Sequence, residues 1–305
     1  MKAFSVTILG SGSATPSKTR YPSAQVINIH DKLLLLDCGE GTQMQMRRFH
    51  IKNSRIHHIF ISHLHGDHYL GLMGLLFTYH LLGRTEAMHL YAPQELKSVI
   101  DLQLKVSNSN LLYPLIYHEL TSSGKALILE TNTFNVFSFP LQHSLACWGF
   151  VIEEKEWGCK ISKEFIQQQN PSVEAIHKIQ QGGDYINSEG TIFYNQEITL
   201  AADPLRSYAY CSDTLYDEQL VSYIENTTVL YHEATFTHDK AAVARQKFHS
   251  TAQEAALIAK KIKAKKLIIG HFSARYDSNE PLLNEATGIF ANTIAAEDGK
   301  VIELC

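Results

Sequence analysis

The chain has 305 residues, of which 45% are apolar and 19% are charged, so it is long enough to bury one large core or two modest ones. Its 27 basic and 31 acidic residues give a net charge of −4, which excludes a bulk attraction to nucleic acid or anionic lipid. No stretch is apolar enough to cross a membrane, and the first residues lack the pattern of a signal peptide. Together with five scattered cysteines that form no Cys-x-x-Cys pair, these features predict a cytoplasmic protein with reduced thiols.

Short apolar runs along the chain predict strands, several of which end at glycine, histidine or aspartate. We expect strands at residues 6–9 and 33–36, each running into a glycine-containing loop, and a helix over residues 69–82. Further strands are expected at residues 87–91, 134–139, 148–152, 207–211 and 228–231. Thr251 and Glu254 have the spacing of a capping box, which predicts a helix over residues 252–263.

The densest chemical signal is a group of three histidines and one aspartate, His63, His65, Asp67 and His68, directly after the apolar residues 59–61. Imidazole and carboxylate ligands suit zinc, with manganese or iron as weaker candidates. A single His-x-His pair is often accidental, but four such side chains at this spacing indicate a site for two metal ions. The alternative is a solvated histidine-rich loop.

Three more candidate ligands, His143, Asp213 and His271, each follow an apolar run that predicts a strand. Ligands at the ends of separate strands can converge on one edge of a sheet, as an open metal site requires. Glu233 follows the strand at residues 228–231, and His249 lies just ahead of the helix at residues 252–263. On local sequence alone these two residues are also compatible with a solvent-facing strand end and a surface histidine.

Taken in order, these motifs resemble the metallo-β-lactamase superfamily, and additional blocks narrow the resemblance to the ribonuclease Z family of tRNA 3′-end processing endonucleases. The blocks are residues 37–43 (DCGEGTQ), 232–236 (HEATF), 249–252 (HSTA) and 271–276 (HFSARY). The blocks that contain Glu233 and His249 do not belong to the general superfamily pattern. Together the motifs span nearly the whole chain.

The resemblance implies an α/β fold, a four-layer αβ/βα sandwich of two mixed sheets flanked by helices, as a single domain over residues 1–305. It also implies two zinc ions per subunit, which lower the pKa of a shared water and stabilise the oxygens of a phosphoryl displacement. The implied ligands form one set of three, a second set of three and one bridging carboxylate: His63, His65 and His143; Asp67, His68 and His271; and Asp213.

The resemblance further implies removal of the 3′ trailer from precursor tRNA, leaving a 3′-hydroxyl. Asp67 would orient or deprotonate the attacking water. Glu233 would hold His249 in the tautomer that protonates the departing ribose 3′-oxygen. The family also forms homodimers, so a homodimer is expected.

Substrate contacts are expected from two regions and from Ser273 and Arg275. Residues 153–205 are a candidate inserted arm for tRNA, with lysines at 160, 163 and 178, although only Asn170-Pro171 matches the usual Gly-Pro-rich tip. An unrelated surface insertion is the alternative. The loop 16–21, with Lys18 and Arg20, resembles a family loop that helps exclude tRNA already ending in CCA, but Tyr21 replaces the usual asparagine.

Two other functions stay open at this point. A general phosphodiesterase, or another superfamily hydrolase of lactones, thioesters, sulfates or similar small esters, would explain the metal ligands but leave Glu233 and His249 without a role. The other alternative is a non-enzymatic RNA-binding or subunit-stabilising paralogue, but the intact ligand set argues against it.

Overall fold

Two seven-stranded mixed sheets dominate the computed structural model, which describes residues 3–15, 17–156, 158–200 and 204–304. Pro16 of the loop 16–21, Trp157 and residues 201–203 of the candidate arm, and Cys305 lie outside the described residues. The two sheets and their flanking helices confirm the αβ/βα sandwich expected from the sequence.

The described strands, in chain order, are β1 (Phe4–Gly10), β2 (Ala24–Ile29), β3 (Lys32–Leu36), β4 (Ile56–Phe60), β5 (Met88–Ala92), β6 (Leu115–Glu119), β7 (Ala126–Glu130), β8 (Phe134–Leu141), β9 (Cys147–Glu154), β10 (Lys160–Ile161), β11 (Tyr185–Ile186), β12 (Ile192–Phe193), β13 (Thr199–Leu200), β14 (Ser207–Cys211), β15 (Val229–Glu233), β16 (Lys266–Gly270), β17 (Thr293–Ala295) and β18 (Val301–Glu303). The α-helices are α1 (Thr42–Arg48), α2 (Gly66–Tyr69), α3 (Leu72–Leu81), α4 (Glu95–Val106), α5 (Lys163–Gln169), α6 (Val173–Gln180), α7 (Asn195–Ile198), α8 (Leu220–Ile224), α9 (Ala241–Gln246), α10 (Ala252–Lys261) and α11 (Glu280–Thr287). Two short 3₁₀ helices cover Asn53–Arg55 and His238–Lys240.

The two large sheets share one plan. The first has the order β18-β1-β2-β3-β4-β5-β6 and the second has the order β17-β16-β15-β14-β9-β8-β7. Strands β3 to β6 run parallel in the first sheet, as do β14 to β17 in the second, while the remaining neighbours are antiparallel. Parallel strands bring their carboxyl ends to a common edge, where ligand sites of α/β folds form.

Alternation of side chains explains why the first sheet is covered on both faces. In β3, Leu34 and Leu36 point into the core between the sheets, whereas Leu33 and Leu35 point outward into a second cluster that includes Leu75 of α3. This two-residue period is what a strand dictates. Small buried residues on one side of α10 let this helix pack closely on the second sheet. These residues belong to the same hydrophobic cluster as the core between the two sheets.

The predicted helix over residues 69–82 is wrong in its start, because the chain forms α2 and α3 with a break at Leu70 and Gly71. A side chain at Gly71 would collide with the carbonyl oxygen of Gly39, and the Gly71 amide donates to the Cys38 carbonyl at 2.9 Å. The close approach of these two loops therefore interrupts the helix. The capping box of Thr251 and Glu254 is present as predicted, although α10 ends at Lys261.

The candidate arm contains small elements that pack on one another. Ile161, Phe165, Ile179 and Ile198 form a separate buried cluster, and the pairs β10–β13 and β11–β12 are the two-stranded sheets. Its root is fixed to the sandwich at Glu154, which accepts hydrogen bonds from Arg206 Nε at 2.9 Å and His30 Nε2 at 2.6 Å. Within the described ranges no helix is both long and apolar enough to cross a bilayer.

Candidate active site

The predicted ligands come together at the carboxyl ends of strands from both sheets. His63, His65, Asp67 and His68 follow β4, His143 follows β8, Asp213 follows β14 and His271 follows β16. Glu233 is the last residue of β15 and lies beside them. The expectation that separate strand ends converge is confirmed.

Three histidines and Asp213 form the first ligand group. His65 Nδ1 lies 3.1 Å from His63 Nε2 and 3.1 Å from His143 Nε2. Asp213 Oδ2 lies 3.6 Å from His63 Nε2 and 3.9 Å from His143 Nε2. Four donor atoms within 4.8 Å of one another are spaced as ligands of one cation.

Asp67, His68 and His271 form the second group with the other oxygen of Asp213. Asp67 Oδ2 lies 3.2 Å from both His68 Nε2 and His271 Nε2. Asp213 Oδ1 lies 3.2 Å from His271 Nε2 and 3.5 Å from His68 Nε2. Asp213 thus directs one oxygen to each group, which is the arrangement of a bridging carboxylate.

Two atoms of the second group show that the residues fit divalent metal ions. His68 Nε2 and Asp213 Oδ1 are buried, and neither has a hydrogen-bond partner among the described residues. Buried polar atoms are nearly always satisfied, so an unpaired nitrogen and an unpaired carboxylate oxygen that face the same point call for a cation. The imidazole and carboxylate donors match zinc and its first-row neighbours.

Asp37 positions His68, a role that sequence reasoning missed although the residue stood in one of the quoted blocks. Its Oδ2 accepts from His68 Nδ1 at 2.8 Å, from Tyr210 Oη at 2.7 Å and from Ser62 Oγ at 2.9 Å, while Oδ1 accepts from the Ser62 amide at 2.7 Å. The carboxylate is fully buried, so this contact fixes the ring and its tautomer. An aspartate directly after a buried strand was the available signal.

Other ligand histidines are oriented through Nδ1 in the same way. His143 Nδ1 donates to the Phe248 carbonyl at 2.9 Å, and His271 Nδ1 lies 2.9 Å from Thr235 Oγ1. Thr235 Oγ1 in turn donates to Glu233 Oε2 at 2.7 Å. Occupied Nδ1 atoms leave Nε2 of both rings as the coordinating nitrogen.

Glu233 and His249 form a buried ion pair beside the ligand groups. Glu233 Oε1 accepts from His249 Nδ1 at 2.8 Å and from the Ser250 amide at 3.0 Å, and Oε2 also accepts from the Thr235 amide at 3.0 Å. Burial works against the charged form of His249, but the facing carboxylate outweighs it and raises the pKa of His249 to about 9. Burial likewise works against ionised Glu233, yet His249 keeps the pKa of Glu233 below its usual value.

A cavity of about 850 Å³ opens over both ligand groups and His249. Ser273 and Arg275, which the sequence predicts as substrate contacts, lie on its wall, and Arg275 Nε donates to Ser273 Oγ at 3.2 Å. Lys18 and Arg20 are not among the described residues that line it. The guanidinium of Arg20 instead donates to the Tyr276 carbonyl at 2.8 Å.

Thr15 and Pro22, the residues on either side of the loop 16–21 that resembles a CCA-excluding element, border this cavity. Tyr21 turns its ring onto Gly41, where a Cβ would lie 2.6 Å from the ring. Its amide donates to Asp298 Oδ2 at 2.8 Å, and the other Asp298 oxygen accepts from Ser11 Oγ at 2.7 Å. These contacts tie the loop to the end of β1.

The chain is similar to several known proteins. A family model described as anti-Pycsar protein Apyc1 matches residues 4–136. The ribonuclease Z of Bacteroides fragilis is 41% identical over 304 residues, covering 100% of both chains. The crystal structure of human tRNase Z, short form, superposes with a TM-score of 0.73 at 28% identity, covering 99% of each chain.

The fold is also that of a metallo-β-lactamase fold protein from Bacillus subtilis, with a TM-score of 0.70 at 18% identity and coverage of 99% of this chain and 100% of that one. At that identity the likeness concerns the fold alone. The likeness to ribonuclease Z relatives is stronger, because 41% identity over the full length of both chains shows membership of the family and not the fold alone. The chain therefore belongs to the ribonuclease Z family, within the metallo-β-lactamase fold.

Proposed function

We propose that this chain is a metal-dependent endoribonuclease that removes the 3′ trailer from precursor tRNA and leaves a 3′-hydroxyl. The observation that carries the proposal is the Glu233–His249 pair, which lies beside two metal-ligand groups in one cavity. Hydrolysis of an activated small ester has no need of a second, protonated histidine. Expulsion of a ribose oxygen does need one, because an alkoxide is a poor leaving group without a proton.

Two zinc ions per subunit are the proposed cofactors, with manganese or iron as alternatives. His63, His65 and His143 would hold one ion, Asp67, His68 and His271 the other, and Asp213 both. Bound there, such ions supply a water of lowered pKa as nucleophile and stabilise negative charge on the phosphoryl oxygens.

Side chains of this protein would carry out the proton transfers. Asp67, whose side chain is 4% exposed, would orient the attacking water or accept its proton. His249 donates Nδ1–H to Glu233, so its Nε2 is the nitrogen that would protonate the departing 3′-oxygen. A pKa of about 9 keeps that nitrogen protonated at neutral pH, as a general acid requires.

Substrate would be held by groups on and around the cavity. Arg275 and Ser273 line it and would contact phosphate, and Lys18 and Arg20 would act farther along the strand. The arm of residues 153–205, part of a single domain over residues 1–305, would reach the tRNA body through its exposed lysines. In a homodimer that arm would serve the partner's site.

A labelled precursor tRNA tests the proposal directly. We expect one cut at the 3′ trailer, a product whose 3′ end a poly(A) polymerase extends, and loss of activity on chelation that added zinc restores. Extension matters because a 3′-phosphate or cyclic phosphate end would not be extended. A protein that hydrolyses bis-nitrophenyl phosphate but leaves the precursor uncut would instead be the small-ester hydrolase considered from the sequence.

A further inference from the structure

Phe248 adopts a backbone conformation that its side chain disfavours. Helix α9 ends at Gln246, and Phe248 follows its cap with a φ of 59°. The His249 amide bonds the Ala244 carbonyl at 2.9 Å, and the Phe248 amide bonds the Arg245 carbonyl at 3.2 Å. This is a Schellman motif, whose left-handed position favours glycine and, less strongly, asparagine. A bulky aromatic residue there is strained.

At the same position after other helices, the chain has either glycine, which avoids the strain, or a polar residue. Gly83 follows α3 with a φ of 74°, Asn108 follows α4 with 48°, and Lys263 follows α10 with 57°. Among the described helix ends, Phe248 is the apolar exception. Strained residues that persist at a site point to a function of the side chain.

Packing within the fold accounts for only part of the Phe248 ring. The residue is 40% exposed, and its ring meets His143 edge-on at 6.4 Å between centroids. The carbonyl that orients His143 belongs to the backbone, so glycine would supply it equally. What distinguishes phenylalanine is an exposed π face on the wall of the catalytic cavity, one residue before His249.

We propose that the Phe248 ring is a stacking platform for an unpaired nucleobase next to the scissile phosphodiester, and that Lys247 beside it neutralises a phosphate of the same strand. Lys247 lines the cavity, is exposed and has no ion-pair partner in the described parts of the chain. An aromatic face beside a cation is how proteins hold single-stranded RNA with little sequence preference. This inference rests on the proposed function and adds the group that would position the RNA strand.

Phe248→Gly separates the ring from the backbone. It removes the π face and the strain while keeping the carbonyl on His143. We expect the KM for precursor tRNA to rise at least about tenfold, within the range that base–aromatic stacking contributes, while kcat changes less than about threefold and Tm is unchanged or higher. Phe248→Leu, which keeps an apolar side chain, should raise KM similarly, and Phe248→Trp should keep it within about twofold.

Lys263→Gly is the matched control, because it relieves the same conformation after α10. It should leave Tm unchanged or higher, with KM at the wild-type value. A KM within about twofold of wild type in both the Gly and Leu variants would overturn the proposal. So would a joint fall of kcat, Tm and bound metal, since that pattern would mean the ring packs to support the site.

A binding measurement keeps this inference distinct from the proposed function. A short RNA carrying 2-aminopurine beside a non-cleavable phosphodiester should lose fluorescence on binding wild-type protein and not on binding Phe248→Gly, whether or not precursor tRNA is cut. Equal quenching by both proteins would overturn the stacking role. Failure of the wild type to cut precursor tRNA would overturn the proposed function alone.

Discussion

The candidate metal-ligand site and the candidate arm of residues 153–205 are built in opposite ways. The ligand groups lie at strand ends of both large sheets, and Asp37, His63, His68 and Asp213 have at most 2% of their surface exposed. The described part of the candidate arm consists of three short helices and four two-residue strands around a cluster of four buried residues. Its range holds nine acidic residues against four lysines, a net charge of −5, whereas the whole chain has −4.

The contrast suggests different tasks for the two regions: the rigid site would carry out the reaction, and the arm would help bind the substrate. A reaction needs ligands held within a fraction of an ångström, which dense packing and buried hydrogen bonds supply. A net negative arm cannot attract tRNA by its overall charge, so any contact must come from local groups such as Lys160, Lys163 and Lys178, which are exposed. We therefore expect large losses from changes at the site and small, substrate-dependent losses from changes in the arm.

The largest effect should come from Asp213→Ala, because one carboxylate serves both ligand groups. Activity should fall about 10⁴-fold or more, since each ion contributes several kcal/mol to charge stabilisation. Elemental analysis should show metal lost from both positions, whereas His271→Ala should empty chiefly one. Two equivalents of metal retained in Asp213→Ala would rule out the bridge.

His249→Ala should slow cleavage of precursor tRNA by roughly 10² to 10⁴, the usual contribution of a general acid. Glu233→Gln should be milder, and the double variant little worse than His249→Ala, because the pair acts as one unit. Single-turnover assays measure all three. Independent, multiplying losses would show that the two residues do not work together.

The pH dependence of the cleavage rate also tests the proposed role of His249 as general acid. As the proposed general acid, His249 must be protonated, and Glu233 raises its pKa to about 9, so the rate should decline as the pH rises through about 9. In Glu233→Gln the carboxylate that favours the charged ring is gone, and the decline should begin at lower pH. A decline at the same pH in both proteins would assign the alkaline limb to another group.

Asp37→Asn tests how far the rigidity of the site depends on buried hydrogen bonds behind the ligands. We expect metal affinity to weaken about 10- to 100-fold, the usual effect of removing a carboxylate behind a ligating histidine. Competition with a fluorescent chelator measures this change. Unchanged affinity would mean that packing alone orients His68.

The smallest effect should come from the arm. Replacing Lys160, Lys163 and Lys178 with alanine should raise the KM for precursor tRNA a few-fold and flatten its salt dependence, because fewer counterions are released on binding. The matched control is alanine at Lys260, Lys263 and Lys265, which lie at the opposite end of β16 from His271. Equal changes in the two triple variants, or equal losses on a small phosphodiester, would mean that the arm supports folding or the dimer.

The sequence predicted a candidate ligand set because metal ligands are few in kind and regular in spacing, and the structure brings all seven of these residues together. The only sequence signal for Asp37 is its position directly after a buried strand, because its contact with His68 forms only in the fold. The proposed role of Phe248 has no sequence signal, because it depends on a φ angle. A prediction of metal sites from clustered histidines alone would have included a wrong cluster. His58, His89 and His118 stack in the first sheet, with His89 Nδ1 2.9 Å from His118 Nε2, yet they join no candidate metal group in the described residues.

Fold prediction failed where tertiary contacts override local pattern. Residues 69–82 predict one continuous helix because they are an almost uninterrupted apolar run, but the backbone of residues 38–39 passes too close to Gly71 for that. Edge strands such as β6 and β18 are short and partly exposed, so they left little periodic signal.

Comparing two leaving groups tests the central claim, that His249 protonates the departing oxygen, most directly. Precursor tRNA expels a ribose alkoxide, whereas a nitrophenyl phosphodiester expels a stable phenolate that needs no proton. We expect His249→Ala to lose roughly 10² to 10⁴ in rate on the RNA and far less on the activated ester, with bound metal unchanged. Comparable losses on both substrates, at unchanged metal content, would contradict the assignment and place His249 at the attacking water or in the local fold.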